Sequence, residues 1–231
     1  MRSLTAVVAI ALLMLCSVAL SLRPGTALFA QSIVLSEGHA DAFQPKLEDG
    51  QLVLYFRDDT ASKLGSVSPA DVLMVVNPAA QTTEPNNASF SFLGDAGDDV
   101  WVMPQDQQSG VLWPGISTES LDGQWEGNQI ELRLVSVTAP TGGQVFLYTL
   151  RSFSEVSRIW SSNALPGVYN VGIDVHAHMN WAFTQPGRYT LHVQACGTHT
   201  GPDAALGRVC SEVTPYAIDV RAKGQPAPAT P

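Results

Sequence analysis

The chain has 231 residues, of which 12 are Lys or Arg and 21 are Asp or Glu, so its formal net charge is −9 at pH 7 with histidine neutral. This acidic balance argues against nucleic acid and against anionic membrane surfaces as partners. A chain of this length can bury a full core, either as one large domain or as two small ones.

The first 30 residues have the pattern of a secretory signal peptide. Arg2 is followed by an apolar run over residues 6–20 and then by small residues up to Ala30. Removal of residues 1–30 leaves 10 basic residues against 21 acidic ones, a net charge of −11. No later apolar run is long enough to span a bilayer, and the Pro/Ala-rich residues 223–231 are expected to form a tail. We therefore expect a secreted protein that is either soluble or held at the cell surface by something else.

The remaining sequence predicts an all-β protein. Apolar and polar residues alternate with a period of two, and no segment keeps an amphipathic 3.6-residue repeat over three turns. Eight strands separated by turns favour an immunoglobulin-like β-sandwich over residues 31–222, built as one unit or as two packed sub-domains, 31–125 and 126–222. The predicted strands are 51–58, 71–77, 99–104, 129–138, 144–152, 169–183, 188–196 and 215–222.

Near the mature N-terminus, the segment SEGHADAF places His39 and Asp41 two residues apart in extended chain. Side chains at this spacing point to the same face of a strand. Imidazole and carboxylate are both zinc ligands, but a zinc site needs at least three protein ligands. The segment is therefore a candidate for half of a metal site.

Residues 90–121 interrupt the strand series with chain rich in Trp, Gly and Pro. A long irregular loop of this kind is usually functional or a structural insert. Its tryptophans, Trp101 and Trp113, are candidates for stacking on a sugar, which would make the segment a ligand-binding loop. Packing in the core is the more common role of the indole.

The predicted strand 169–183 supplies the other half of the candidate site. Alternation places Asp174, His176, His178 and Asn180 on one face and the apolar residues between them on the other. Two imidazoles at this spacing can hold one ion. The alternative is a pair of solvated or hydrogen-bonded histidines with a structural role, in an adhesion or glycan-binding domain.

Taken together, the two segments predict a divalent metal site formed by His39, Asp41, His176 and His178. Asp174 and Asn180 are candidates for orienting the ligands. Zinc suits this ligand set best, while manganese, iron, copper and haem stay open. The sequence has no Gly-x-Ser-x-Gly elbow, Gly-rich phosphate loop or His-Glu-x-x-His helix, so we expect a binding protein and not an enzyme.

The C-terminal part carries two local signals. A Pro-Gly turn leads into Tyr189 and an alternating apolar strand, which is the pattern of a tyrosine corner. Cys196 and Cys210 are the two cysteines left after Cys16 departs with the signal peptide, so they are expected to form a disulfide in an oxidising compartment. A metal site built on these two cysteines is the weaker alternative, since the paired spacing of a zinc knuckle is missing.

Four stretches, in this order, resemble a known family: LSEGHADAF, FSFLGDAGDDVWVMPQ, GVLWPG and HAHMNWAFTQPGRYTLHV. They are similar to the actinobacterial surface-anchored domain proteins, the choice-of-anchor M domain family. The resemblance implies an exported cell-surface β domain whose partners are components of a metal-type ABC transporter of the anchored-repeat kind, or other cell-envelope proteins. By position, the family's motifs fall on the four candidate ligands and on Asn180, whereas His192 and His199 lie outside them.

Overall fold

The computed structural model describes residues 32–151 and 155–225. The signal peptide predicted over residues 1–30 and the end of the tail, 226–231, lie outside the described residues. None of the helices in the described part is long and apolar enough to cross a membrane.

The described chain is mostly β-strand, as the alternating pattern predicted, with a few short 3-10 turns. The strands are β1 (Ile33–Leu35), β2 (Gly38–Glu48), β3 (Gln51–Asp58), β4 (Gly65–Val67), β5 (Val72–Val76), β6 (Gln81–Thr83), β7 (Asp99–Met103), β8 (Leu112–Ser117), β9 (Gln129–Thr138), β10 (Val145–Leu150), β11 (Val156–Ser161), β12 (Gly167–Gly172), β13 (His176–His178), β14 (Asn180–Phe183), β15 (Gly187–Thr198), β16 (Arg208–Cys210) and β17 (Thr214–Val220).

These strands form three sheets. Sheet A has the order β1-β5-β17-β15-β9-β12, with β16 paired to β15; sheet B has the order β13-β8-β2-β3-β4; and sheet C has the order β11-β10-β14-β7-β6. Each sheet takes strands from both sides of residue 125, so the segments 31–125 and 126–222 do not form separate sheets.

One hydrophobic core joins the three sheets. Phe43 of sheet B stacks on Trp181 of sheet C with ring centres 5.2 Å apart, and it meets Tyr216 of sheet A edge to face at 5.0 Å. All three rings are fully buried, and large aromatic side chains contribute much of the apolar area that stabilises such a core.

Both local signals of the C-terminal part are confirmed. The Tyr189 hydroxyl donates to the Gln185 carbonyl at 2.8 Å and accepts from the Gln185 amide at 3.2 Å, which is a tyrosine corner. Burial raises the pKa of Tyr189 to about 12. Cys196 and Cys210 form a disulfide between β15 and β16. The immunoglobulin-like topology itself stays a prediction.

Two predicted elements differ from the structure. The segment 90–121 is not irregular throughout, because it contains β7 and also β8, a strand in the interior of sheet B that the sequence did not predict. The single strand predicted over 169–183 is three strands, β12, β13 and β14, each in a different sheet. The first break falls at Asp174, which has a left-handed φ of 58°. Aspartate tolerates this conformation better than most residues do. The alternation of polar and apolar residues therefore continues through the turn, and the sequence does not reveal the break.

Candidate metal centre

The candidate metal centre lies at one side of sheet B, where β8 separates two ligand-bearing strands. On one side, the parallel pairing of β2 with β8 sets His39 beside Trp113 and Asp41 beside Gly115. On the other side, the antiparallel pairing of β13 with β8 sets His178 beside the same glycine. The pairing therefore brings the His-x-Asp segment of β2 and the His-x-His segment of β13 to the same face of sheet B, on either side of β8.

The ligand atoms converge as the spacing predicted. His39 Nε2 lies 3.1 Å from His176 Nε2, and Asp41 Oδ1 lies 3.0 Å from His176 Nε2 and 3.6 Å from His39 Nε2. With one nitrogen of His178 added, all four ligand atoms lie within 4.8 Å of one another. The structure thus brings together all four residues that the sequence predicted, and this group can hold a metal ion.

The three imidazoles lie close together. Their ring centres form a nearly equilateral triangle with sides of 5.1, 5.1 and 5.2 Å. Around a tetrahedral ion with bonds of about 2.1 Å the ligand atoms lie about 3.4 Å apart, whereas the four ligand atoms here extend to 4.8 Å from one another. The side chains therefore have to move by about 1 Å to share one ion.

The centre has buried polar atoms that no hydrogen bond satisfies. Among the described residues, Asp41 Oδ1 and both ring nitrogens of His178 are buried without a hydrogen-bond partner. Burial raises the pKa of the Asp41 carboxyl, and the nearby His176 and His39 oppose that shift only in part. Burial, followed by the charges of His39 and His176, lowers the pKa of His178 to about 4. Unpaired buried acceptors are costly, and one bound cation would satisfy both Asp41 Oδ1 and one ring nitrogen of His178.

Trp113 forms one wall of the centre. Its indole stacks on the His178 imidazole with ring centres 3.6 Å apart and an interplanar angle of 10°. The indole N–H donates to the Gln105 carbonyl at 2.8 Å, and the Gln105 amide donates to Asn180 Oδ1 at 2.9 Å. Asn180 is itself buried and is linked to the cluster through Gln105 and Trp113.

Gly115 allows the His178 ring to cross β8. A Cβ atom at this position would lie 2.7 Å from His178 Cε1, 2.9 Å from His178 Nδ1 and 2.9 Å from the Ala177 carbonyl oxygen. These distances are shorter than side-chain carbons adopt, so only glycine leaves room for the imidazole. The sequence analysis did not single out this glycine, because its role depends on the pairing of β8 with β13.

Two carboxylates outside the ligand set face the outer nitrogens of the histidines. Asp59 Oδ2 lies 3.8 Å from His39 Nδ1, and Glu119 Oε2 lies 3.8 Å from His176 Nδ1. At this distance neither carboxylate accepts a hydrogen bond from the ring, but its negative charge favours the proton on the outer nitrogen, which leaves the inner one free as a ligand. Neither residue is recognisable from the sequence, since neither shares a two-residue spacing with a ligand.

Thr118 holds the turn that precedes β13. Its buried hydroxyl donates to the Gly172 carbonyl at 2.8 Å and accepts from the Val175 amide at 2.9 Å. The Thr118 amide also donates to the Val175 carbonyl at 2.8 Å. This one residue therefore fixes the start of β13 against the end of β8.

The other candidate residues lie apart from the ligand atoms. Asp174 is exposed in the turn that Thr118 holds. Trp101 is buried, and its indole N–H donates to the Arg221 carbonyl at 2.9 Å. Among the described residues, the group that can hold a metal does not include His192 or His199.

Comparison of the chain with protein-family models gives no match. Comparison with curated proteins gives no match either. The resemblance to the choice-of-anchor M domain family therefore stays a prediction.

Proposed function

We propose that the protein binds one zinc ion through His39, Asp41, His176 and His178 and serves in metal acquisition outside the cytoplasm. One observation carries this proposal. Four ligand atoms from two segments, separated by 137 residues between His39 and His176, converge within 4.8 Å around a buried carboxylate. A hydrogen-bonded structural cluster would satisfy its buried atoms internally. Here His39 and His176 contact each other through Nε2, but Asp41 Oδ1 and both ring nitrogens of His178 are buried without a hydrogen bond.

The ligand types support zinc. Imidazole suits zinc, copper, iron and nickel better than manganese, which prefers oxygen ligands. Three imidazoles and one carboxylate are also a common zinc ligand set. Haem fits poorly, because its ring nitrogens leave at most two axial positions and four protein ligands point to one place here.

The number of ligands supports binding as opposed to catalysis. Catalytic zinc usually keeps one position open for water or substrate, whereas four protein ligands complete a tetrahedral site. His176 is 36% exposed, so an ion in this site remains within reach of the solvent. A site that is complete yet accessible suits the capture and transfer of an ion.

The proposed location and partners rest on other features. The signal-peptide pattern of residues 1–30 and the disulfide between Cys196 and Cys210 both suit an oxidising compartment outside the cytoplasm. The resemblance to surface-anchored domains supports components of a metal-type ABC transporter as partners. A glycan-binding role is less well supported, because Trp101 is buried and one face of Trp113 is covered by His178.

Metal analysis of the purified, tag-free chain beginning at Gln31 tests zinc binding. We expect about one zinc per chain in the native protein and none in the His176→Ala/His178→Ala double variant. A His192→Ala variant, which changes a histidine outside the cluster, should load like the native protein. If the native protein carries no metal, and added zinc neither binds below micromolar concentration nor raises the melting temperature, the proposal is wrong.

The acquisition role has a separate test. Deletion of the gene in the source organism should impair growth in zinc-depleted medium, and added zinc should restore it. Unimpaired growth would refute the proposed role in metal acquisition but would not bear on the proposal that the protein binds zinc.

A further inference from the structure

We propose that zinc enters and leaves the centre on the His176 side, and that Glu119 is the positioning residue that controls this exchange. The inference rests on the zinc site proposed above. It concerns the route of the ion and the chemistry of the protein that receives it.

The four ligands differ in how far they are exposed. The side chain of Asp41 is 1% exposed and that of His39 is 21% exposed, while that of His176 is 36% exposed. His178 is covered on one face by the Trp113 indole. An incoming ligand therefore reaches the His176 side of the ion first.

The strands that carry the ligands also differ in how firmly the sheet holds them. Asp41 and His39 lie on β2, an eleven-residue strand held between β8 and β3 in the interior of sheet B. His176 begins β13, a three-residue strand at the edge of the same sheet. Edge segments open more readily than interior strands because fewer backbone hydrogen bonds hold them. His176 and His178 both lie on this edge strand, but the Trp113 indole stacks on His178. His176 is thus the ligand that can detach while the others keep the ion.

The two outer carboxylates are held differently. Asp59 is paired with Arg57, whose Nε lies 2.7 Å from its Oδ2 atom. Glu119 is 50% exposed, and its Oε2 atom accepts a hydrogen bond from the Ser117 hydroxyl at 3.1 Å. The Ser117 hydroxyl is neutral and leaves the negative charge of Glu119 uncompensated, whereas the Arg57 guanidinium neutralises the charge of Asp59. Glu119 is therefore the outer carboxylate whose full negative charge faces the centre.

The charges of the loaded centre explain what Glu119 does. Zinc, the Asp41 carboxylate and three neutral imidazoles together carry one positive charge, and the Asp59 and Arg57 charges cancel. Glu119, 3.8 Å from Nδ1 of His176 on the side of the ring away from the ion, balances the remaining charge. Its negative charge favours the tautomer with the proton on Nδ1, which leaves Nε2 free to bind the ion. Loss of this carboxylate would loosen His176 and raise the free energy of the loaded state.

The receiving protein is expected to offer an imidazole or a carboxylate. Either group binds zinc and can take the position that His176 vacates, so the ion passes across without losing all its ligands. Transfer by this route depends on the concentration of the acceptor, because the acceptor takes part in the displacement step.

The experiment uses zinc-loaded native protein and three variants that replace a carboxylate by its amide: Glu119→Gln, Asp59→Asn and, as a matched control far from the cluster, Glu126→Gln. Zinc transfer to an excess of a coloured carboxylate chelator is followed by absorbance at several chelator concentrations. Melting temperatures of the metal-free proteins, and rescue by Glu119→Asp, separate positioning from a general loss of structure.

We expect the native transfer rate to rise with chelator concentration. Glu119→Gln should accelerate transfer about tenfold or more, and Asp59→Asn about twofold; Glu126→Gln should match the native rate, and Glu119→Asp should recover most of it. Equal acceleration by the two site variants, a larger effect of Asp59→Asn, or a native rate independent of chelator concentration would overturn the exchange route. Failure of the native protein to load zinc would instead refute the site itself.

Discussion

The position of the His178 imidazole depends on the absence of a side chain at Gly115. A Cβ atom there would meet two ring atoms of His178 and the Ala177 carbonyl at 2.7 to 2.9 Å. Gly115→Ala should displace the ring and weaken zinc binding about 10-fold to 100-fold, with a loss of about 1–3 kcal/mol in unfolding free energy from overpacking. Calorimetric zinc titration and urea unfolding measure the two effects. Native zinc affinity in this variant would show that His178 is not held by this contact.

His178 also makes the metal-free protein sensitive to acid. Its pKa is lowered to about 4 in the folded protein, whereas the imidazole of an unfolded chain titrates at about 6.5. Between these values only the unfolded chain binds the proton, so this residue lowers the free energy of unfolding as the pH falls from about 6.5 to about 4. The raised pKa of Asp41 acts in the opposite sense, because the folded protein then binds that proton more tightly.

A comparison of native protein with His178→Gln isolates the histidine contribution. In urea unfolding with a chelator present, the variant should lose less stability than the native protein between pH 6.5 and pH 4. Equal losses in the two proteins would mean that the His178 imidazole titrates normally in the fold.

At the scale of elements, the turn before β13 depends on the Thr118 hydroxyl. Thr118→Val keeps the shape of the side chain but leaves the Gly172 carbonyl and the Val175 amide without the hydroxyl that bonds both. We expect a loss of about 1–3 kcal/mol in unfolding free energy and weaker zinc binding, since β13 carries two ligands. Thr118→Ser retains the hydroxyl and should stay close to native in both respects. Chemical denaturation and zinc titration of the two variants check this, and equal behaviour of Val and Ser would contradict it.

The strand pattern predicted most elements but not their breaks. The segments 51–58, 129–138 and 215–222 correspond closely to β3, β9 and β17, because their alternating residues have one buried face. The segment 169–183 also alternates, yet it changes sheet at Asp174 and again at Met179. Which sheet a strand joins depends on its pairing with residues far away in the sequence. The two-residue alternation within one segment carries no information on that pairing.

The strand β8 escaped prediction for a different reason. Its sequence, LWPGIS, contains a proline and a glycine, which are normally depleted in strands. Tertiary pairing with β2 and β13 overrides that local preference. The glycine that argues against a strand is the residue that makes room for His178.

At the scale of the whole molecule, the sequence predicted which residues converge in the candidate metal centre but not how they meet. The spacing of two residues selected His39, Asp41, His176 and His178, since alternation fixes the face of each pair. Their convergence required β8 to lie between β2 and β13. Asp59 and Glu119 reach the centre only through that arrangement, and Asp59 also depends on the β2–β3 pairing, which contains a register shift between Asp41 and Gln44. A bulge of this kind is not readable from a single sequence.

The most direct test of the central claim is zinc X-ray absorption spectroscopy of the native chain loaded with one equivalent of zinc. The coordination proposed here predicts four ligands at about 2.0–2.1 Å, three of them imidazole nitrogens and one a carboxylate oxygen. The His176→Ala/His178→Ala variant, which should not retain zinc, should give only the six-oxygen spectrum of the hydrated ion. A native spectrum with fewer than three imidazoles, or with six oxygen ligands, would contradict the proposed zinc centre.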